Sequence, residues 1–540
     1  MRVLLLLLAP VLIHAQGMGS GKRPLTPKPG GRTTSPPPFT FRDVGGLSGK
    51  HQYGDGSSRY ILSMTGNGVA VVDFNNDGHP DLLFNDGKAP VLYKNLGAAK
   101  FENATAASGL AARTWGQGVC AGDIDNDGWT DVLLTYYGPS RLYRNNKGKF
   151  DALPFPESGN RFSTSCAFLD YDRDGLLDVV VSNYVAFELG NAQRPGATKY
   201  CTWEGLEVFC GPRGFPTDRP QLFHNLGEGR FEDVSARGLQ GITGLHYGLG
   251  VAVGDFDGDG WPDIYIACDS TPGLLLRNNK DGTFRDVAVE AGAAYGADGE
   301  ELGSMGVAAV DVDGDGRLDI VKSNFINETP SVYRNLGDWF FVDATQESGV
   351  GADSSAVGWG LGVTDLDQDG RPDFVIANGH IYPELGMKYR QPRSVYWNRG
   401  GTFSVGRPGV AAASRGLAVA DLDGDGREEL IVAHMNAAPS VLQVEGPRGK
   451  GFGLRLTGTK SNRSAIGARV TAGKQMKEVT SGGSYASQSD FTLHFAGDAA
   501  EVEIRWPSGA IEKLGALQAG ALYSVKEGAG VVGREPWRSF

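Results

Sequence analysis

Along most of the chain, apolar runs of strand length alternate with acidic, glycine-rich turns, and the alternation recurs in units. A unit opens on small apolar residues, as in Gly248-Leu249-Gly250-Val251-Ala252-Val253-Gly254, breaks at residues 255–263 (Asp-Phe-Asp-Gly-Asp-Gly-Trp-Pro-Asp), and resumes as Ile264-Tyr265-Ile266-Ala267. Both runs have the length and β-branched content of buried strands. A third strand turns at Asn-Leu-Gly or a relative, as in Leu92-Tyr93-Lys94-Asn95-Leu96-Gly97, and a fourth opens on Phe, as in Phe231-Glu232-Asp233-Val234. The acidic turn occurs seven times, starting at Asp73, Asp123, Asp170, Asp255, Asp311, Asp365 and Asp421, at intervals of 50, 47, 85, 56, 54 and 56 residues. Four short antiparallel strands per unit, repeated in this way, predict an all-β fold, a seven-bladed β-propeller over residues 39–446.

The order of the motifs is offset at the ends. Phe41-Arg42-Asp43-Val44 reads as a fourth strand that precedes any first strand, whereas the seventh unit has no Phe-led strand of its own. An open ring would leave unpaired strand edges, so residues 41–44 are predicted to pair beside residues 440–444 and complete the last blade. Beyond residue 446 the pattern continues as short alternations such as Glu501-Val502-Glu503-Ile504-Arg505-Trp506, with no amphipathic stretch of helix length. Residues 447–530 therefore read as a small β-sandwich. At the start, Met1-Arg2, an apolar run at 3–13 and Ala15 have the form of a signal peptide over 1–15. The run is too short to span a bilayer comfortably. Residues 16–38 read as a Pro- and Gly-rich linker.

Charge changes the picture in one respect. The chain has 51 basic and 63 acidic side chains, a formal charge of −12, and 27 of those acids stand at positions 1, 3, 5 and 9 of the seven turns. The candidate metal ligands are Asp73, Asn75, Asp77 and Asp81; Asp123, Asp125, Asp127 and Asp131; Asp170, Asp172, Asp174 and Asp178; Asp255, Asp257, Asp259 and Asp263; Asp311, Asp313, Asp315 and Asp319; Asp365, Asp367, Asp369 and Asp373; and Asp421, Asp423, Asp425 and Glu429. Oxygens at positions 1, 3, 5 and 9, with Gly at 6 to make the sharp turn, suit calcium, a hard cation that takes six to eight oxygen ligands. Seven calcium ions would bring the net charge to about +2. The acidity is thus mostly ligand charge and argues for no nucleic-acid partner. EF-hands share the first half of the loop but need a bidentate Glu at position 12. Here that position holds Phe84, Leu134, Val181, Ile266, Lys322, Ile376 and Val432.

These loops, with their Gly-x-Gly-Val-Ala-like approaches, resemble the FG-GAP/VCBS repeats of integrin alpha-subunit propellers. The later segment, with Asn462-Arg463-Ser464-Ala465-Ile466-Gly467-Ala468, Gly483-Ser484-Tyr485-Ala486-Ser487-Gln488-Ser489 and Arg505-Trp506-Pro507-Ser508-Gly509, resembles the UnbV/ASPIC domain. A propeller followed by that domain is the arrangement of the cartilage acidic protein family and its bacterial relatives. The resemblance implies an exported calcium-binding protein linked to adhesion or matrix. The signal peptide, with no later run long and apolar enough to span a bilayer, predicts a secreted or periplasmic protein without a transmembrane segment after signal removal, and an extracellular or envelope protein or glycan is the expected partner. Within the later segment Asn462, Arg463, Tyr485 and Gln488 suit either a ligand site or the fixing of loops.

Two long insertions, at residues 183–220 and 378–393, follow the second strands of units three and six and so emerge opposite the acidic turns. Their Trp203, Phe209, Arg213, His380, Tyr382, Tyr389 and Arg390 form a candidate ligand face, because aromatic residues and arginines anchor interfaces. The alternative is that the insertions only cover apolar surface or brace the later domain. Cys201 and Cys210 flank one short loop and are expected to be bonded, while Cys120, Cys166 and Cys268 lie in apolar runs and are expected to be separate core thiols. His380 and His434 end the second strands of units six and seven and read as ordinary strand-end residues. Motifs of hydrolases and metalloproteases are absent from the sequence, so a polysaccharide lyase or hydrolase is the lesser alternative to a binding module. Asn103, Asn327 and Asn462 stand in Asn-x-Ser/Thr sequons.

Overall fold

The computed structural model describes residues 37–49, 51–53, 60–156, 159–186, 188–191 and 201–538. The expected signal peptide and residues 16–36 of the expected linker lie outside the described residues. Among those described, seven four-stranded antiparallel sheets succeed one another between residues 40 and 445, the arrangement of a β-propeller. Five are built from consecutive strands, the first from Gly68–Val72, Asp81–Asn85, Pro90–Asn95 and Phe101–Asn103, and in the third the short hairpin of Thr202–Trp203 and Leu206–Glu207 intervenes between the second and third strands. The seventh draws on both ends of the repeat region, in the order Thr40–Asp43, Ser440–Glu445, Glu429–His434, Ser414–Ala420. Phe41 stands opposite Val444 and Asp43 opposite Leu442, the clasp expected from the offset of the motifs.

The first strand of each sheet packs against the first strand of the next, and that of the seventh against that of the first, so the sheets form a closed ring. Glycines let these inner strands approach. A Cβ on Gly250 would lie 2.3 Å from the Met305 carbonyl oxygen of the next sheet, and one on Gly416 would lie 2.7 Å from that of Asn67. The Asn that ends six of the third strands ties neighbouring sheets together. Asn145 Nδ2 donates to the Phe74 carbonyl and Asn278 Nδ2 to the Tyr171 carbonyl, both at 2.8 Å. Asn225, Asn335 and Asn398 make the same bond to the preceding sheet, and Asn95 makes it to Leu422 across the junction of first and seventh. At the seam between the sixth and seventh sheets Val444 replaces the Asn, and Gln368 Nε2 donates to the Gly426 carbonyl there, as Asn76 does to Gly128 and Asn126 to Gly175 at two other seams.

One cysteine expectation is corrected. Cys120 and Cys166 are not separate thiols but a disulfide, with Cα atoms 5.7 Å apart on the neighbouring inner strands Gly116–Gly122 and Ser163–Leu169. They stand 46 residues apart, and only the ring brings them together. Cys201 is bonded to Cys210 as expected, and Cys268 stays a buried thiol, pushed up to about 12 by desolvation.

After residue 446 come two further four-stranded sheets. Phe452, Leu454 and Val525 of one and Val470, Val502 and Ile504 of the other share an apolar core, which is continuous with Ile124, Phe168 and Leu177 of the ring. The last strand is Gly530–Pro536, so this unit extends past the expected boundary at residue 530. Residues 481–489 leave it and enter the centre of the ring. There Ser487 accepts from Val69 N, Ala486 from Val119 N, Ser481 from Phe168 N, Ser484 from Val307 N and Leu361 N, and Ser489 from Val419 N, while Gly483 N donates to Val251. The segment thus bonds to an inner strand of every one of the seven sheets. It is a plug.

Candidate metal centres and covered faces

Each acidic turn is wound around its first carboxylate. In the second, Asp123 accepts from Asp127 N at 3.0 Å and Gly128 N at 2.7 Å; in the sixth, Asp365 accepts from Asp369 N at 2.9 Å and Gly370 N at 2.7 Å. The position-9 acid is buried and braces the sheet. Asp263 takes Phe256 N on one oxygen and Asn278 N on the other, at 3.1 and 2.9 Å. Asp81, Asp131, Asp178, Asp319 and Asp373 make the same two bonds, and Glu429 accepts from Leu422 N. Positions 1, 3 and 5 then converge, as in the trios Asp123, Asp125, Asp127 and Asp311, Asp313, Asp315, whose donor atoms lie within 4.8 Å of one another.

Whether these donors fit a cation can be tested on atoms that the protein leaves without partners. Asp170 Oδ1 and Asp255 Oδ1 are buried and accept no hydrogen bond, a costly state for a carboxylate unless something else binds it. Burial raises Asp81 and Asp131 to about 8, and burial with neighbouring carboxylates raises Asp170 to about 8. Crowded acids that desolvation pushes toward neutrality are what a hard dication would hold ionised. The donor set fits calcium. Third-strand residues add fixed positive charge beside several turns, including Arg144, 2.6 Å from Asp125, and Arg334, 3.2 Å from Asp313.

The later domain sits on the acidic-turn face. Arg469 Nη2 lies 3.7 Å from Asp255 Oδ2 and 3.2 Å from Glu478 Oε2, and Arg505 Nη1 donates to the Gly258 carbonyl at 2.7 Å. Arg463 Nε stands 3.7 Å from Asp123 Oδ2, and Arg538 N donates to the Gly424 carbonyl. Of the four motif residues in this domain, Asn462, Tyr485 and Gln488 fix loops, while Arg463 is exposed beside Asp123. Asn462 is fully buried, accepting from Ile466 N and donating to the Ile466 carbonyl, so its sequon is closed in the folded protein. Tyr485 is buried in the plug, its hydroxyl donating to the Thr65 carbonyl at 2.6 Å and its ring 4.8 Å from that of Trp359. Gln488 accepts from Ser481 Oγ at 2.8 Å.

The two insertions meet each other, but as a seal more than as a presented surface. Phe209 packs on Tyr382 with ring centroids 4.9 Å apart, and Trp203 packs on His380 and Tyr382 at 5.5 and 6.0 Å. Phe209, His380 and Tyr382 are buried, in or against the apolar cluster that also holds Trp359 and the plug tip Tyr485. That placement corrects their assignment to an open ligand face: nonpolar surface at the mouth of the ring has to be covered, and these aromatics cover it. Arg213 and Arg390 remain exposed and Trp203 and Tyr389 half-buried, with Arg213 paired to Glu301. His434 bonds Ser414 and Ser440, an ordinary strand-end role. Sequence reasoning missed Arg415, fully buried over the Trp359 ring and donating to Met64, Gly379, Ser414 and His380 carbonyls. Nothing in an isolated Arg beside a Gly signals that it is buried over an aromatic ring.

Residues 73–134, 123–181, 206–266 and 255–321 match the FG-GAP-like repeat, and residues 458–532 match the ASPIC and UnbV family. The chain therefore carries FG-GAP-like repeats followed by an ASPIC and UnbV segment. Among individual proteins it is similar to cartilage acidic protein 1 of Xenopus tropicalis, 30% identical over 305 residues, and to that of Homo sapiens, 27% identical over 299. Each match takes in 51% of this chain and 43% of the relative, so less than half the length of those proteins is represented. A solved structure of an Agrocybe aegerita lectin that recognises non-reducing terminal N-acetylglucosamine aligns at 18% identity and a TM-score of 0.39, over 68% of this chain and 88% of that one. So distant a likeness carries no argument.

Proposed function

We propose that this protein is an exported, calcium-stabilised seven-bladed β-propeller with a C-terminal β-sandwich, working by binding rather than by catalysis as an adhesion or ligand-binding module for an extracellular or envelope protein or glycan. The observation that carries the calcium reading is the repeated convergence of carboxylates with buried, unpartnered oxygens at Asp170 and Asp255. Export is supported by the two disulfides and the relation to cartilage acidic protein 1, and no helix among the described residues is long and apolar enough to cross a membrane. Disulfides persist in oxidising compartments.

Calcium bound only to the folded state adds RT ln(1 + [L]/Kd). For Kd ~0.1 mM at ~1 mM calcium that is about 1.4 kcal/mol per site, roughly 10 kcal/mol over seven. A melting temperature that rises strongly with calcium and falls with chelator is expected; one indifferent to chelator would sink this reading. The ligand surface favoured is the outer side of the insertions, where Arg213, Lys388 and Arg390 are exposed around half-buried Trp203 and Tyr389, with Met387 93% exposed. A screen of glycans and matrix or envelope proteins, with and without calcium, tests it. Arg213→Ala and Arg390→Ala should each weaken any ligand found without altering the melting temperature.

A further inference from the structure

One acidic turn faces a different partner from the rest. At the third-strand position where four other sheets carry Lys94, Arg144, Arg277 and Arg334, and two carry Trp397 and Gln443, the third sheet carries His224. Lys94 and the three arginines are ion-paired to loop acids, at 3.3 Å from Asp77, 2.6 Å from Asp125, 4.0 Å from Asp257 and 3.2 Å from Asp313. An ammonium or a guanidinium has no lone pair to give a metal, whereas an imidazole nitrogen has one. His224 Nδ1 lies 3.0 Å from Asp178 Oδ1, a hydrogen bond that a shared cation would replace, and 3.6 Å from Asp172 Oδ2. Donors about 2.1 Å from a shared ion are about 3.0 Å apart in octahedral and about 3.4 Å apart in tetrahedral arrangements, so both separations suit one ion. His224, Asp172 and Asp178 offer donor atoms within 4.8 Å of one another, and Asp170, Asp172 and Asp174 form an overlapping trio. Asp170 is only 5% exposed and its Oδ1 has no hydrogen-bond partner, an independent sign that the site is built for a ligand. The Tyr171 ring, packed edge-on at 5.9 Å, helps to hold the imidazole in place.

We propose that residues 170–178 and His224 form a mixed nitrogen and oxygen site for a first-row transition-metal dication of the zinc class. It is set apart from the other acidic turns, which no imidazole on the third strand faces. The inference rests on the reading of these turns as cation sites and adds a different metal at one of them. Carboxylates alone suit calcium, while an imidazole donor shifts preference along the Irving–Williams order toward cobalt, nickel and zinc.

The test uses the full chain in excess calcium, titrated with Co2+ while the visible ligand-field bands are recorded, then with Zn2+ in competition. The expected result is a single equivalent of cobalt that calcium does not displace and zinc does. His224→Gln and His224→Arg, the latter copying Arg144, should each weaken cobalt binding by at least about tenfold, the least that loss of even a supporting residue commonly costs a metal site. Calcium should still raise the melting temperature of both variants, which establishes that they fold. Cobalt binding unchanged in the variants, or abolished by calcium in the wild type, overturns the mixed site and leaves the calcium reading intact. Cobalt binding that depends on His224 in a protein indifferent to calcium supports the site and overturns the calcium reading.

Discussion

Position 4 of the turns is held in the left-handed region whatever its side chain: φ is 75° at Gly258, 58° at Asn126 and 62° at Arg173. Asn tolerates that conformation, so Gly258→Asn should leave the melting temperature almost unchanged. Gly260 differs, with φ of 89° and Arg505 Nη2 2.5 Å from where a Cβ would stand, and Gly260→Ala should destabilise by about 1–2 kcal/mol. Asp257→Ala should lower the calcium-induced stabilisation, and it also removes the acceptor of Trp339 Nε1 at 2.9 Å. The turn acids also set a pH dependence. Asp81, Asp131 and Asp170 rise to about 8 and Asp319 to about 7 in the metal-free fold, chiefly through burial, against about 4 unfolded. The folded state then holds more protons than the unfolded, so in chelator the melting temperature should fall as pH rises from about 4 to about 8. A scanning-fluorimetry series in chelator that rises or stays flat over that window would contradict the burial argument.

Among elements, the strand Thr40–Asp43 has a function disproportionate to its four residues, since it covers the outer edge of Ser440–Glu445 and buries Phe39 beside Trp397 and Leu442. Deleting residues 39–47 should lower the melting temperature of the whole ring and promote association through the bared edge, whereas deleting residues 17–36 should change neither. Size-exclusion chromatography and thermal melts of the two deletions distinguish these outcomes. The Cys120–Cys166 bond joins adjacent inner strands, and on the chain-entropy view its loss should cost about 2–4 kcal/mol. Cys120→Ser with Cys166→Ser, compared with wild type in non-reducing denaturant melts, measures it. The Asn that closes six of the third strands was legible as a turn residue, but its bond to the preceding sheet was not, because the accepting carbonyl is 70 or more residues away in each of those sheets.

For the whole molecule, the plug makes ring and later domain mechanically one body. Residues 481–489 bond to all seven inner strands, and arginines of the same domain stand against the acidic turns. Calorimetry of the intact chain should therefore give one cooperative transition instead of separate melting of propeller and later domain. Tyr485→Ala, which empties a fully buried ring site beside Trp359, should destabilise the whole by about 3–5 kcal/mol. Two resolved transitions, with only the smaller moved by Tyr485→Ala, would refute the coupling.

The repeat period, the four-strand unit, the acidic turns and even the clasp were determined by the sequence alone, because each depends on residues within one repeat or on counting one motif against another. Alternation of apolar and polar positions is a local constraint of a half-buried strand, and Asp-x-Asp-x-Asp-Gly is a local constraint of a cation loop, so both can be read without a partner in view. Tertiary structure alone decided what fills the centre of the ring. Gly483-Ser484-Tyr485-Ala486-Ser487-Gln488-Ser489 has the composition of a polar loop, and its partners lie in seven different sheets. The same holds for Phe209, His380 and Tyr382, whose aromatic character fits a presented face or a seal equally well until the neighbouring insertion is in place. Burial is a property of the surroundings, and no residue type carries it.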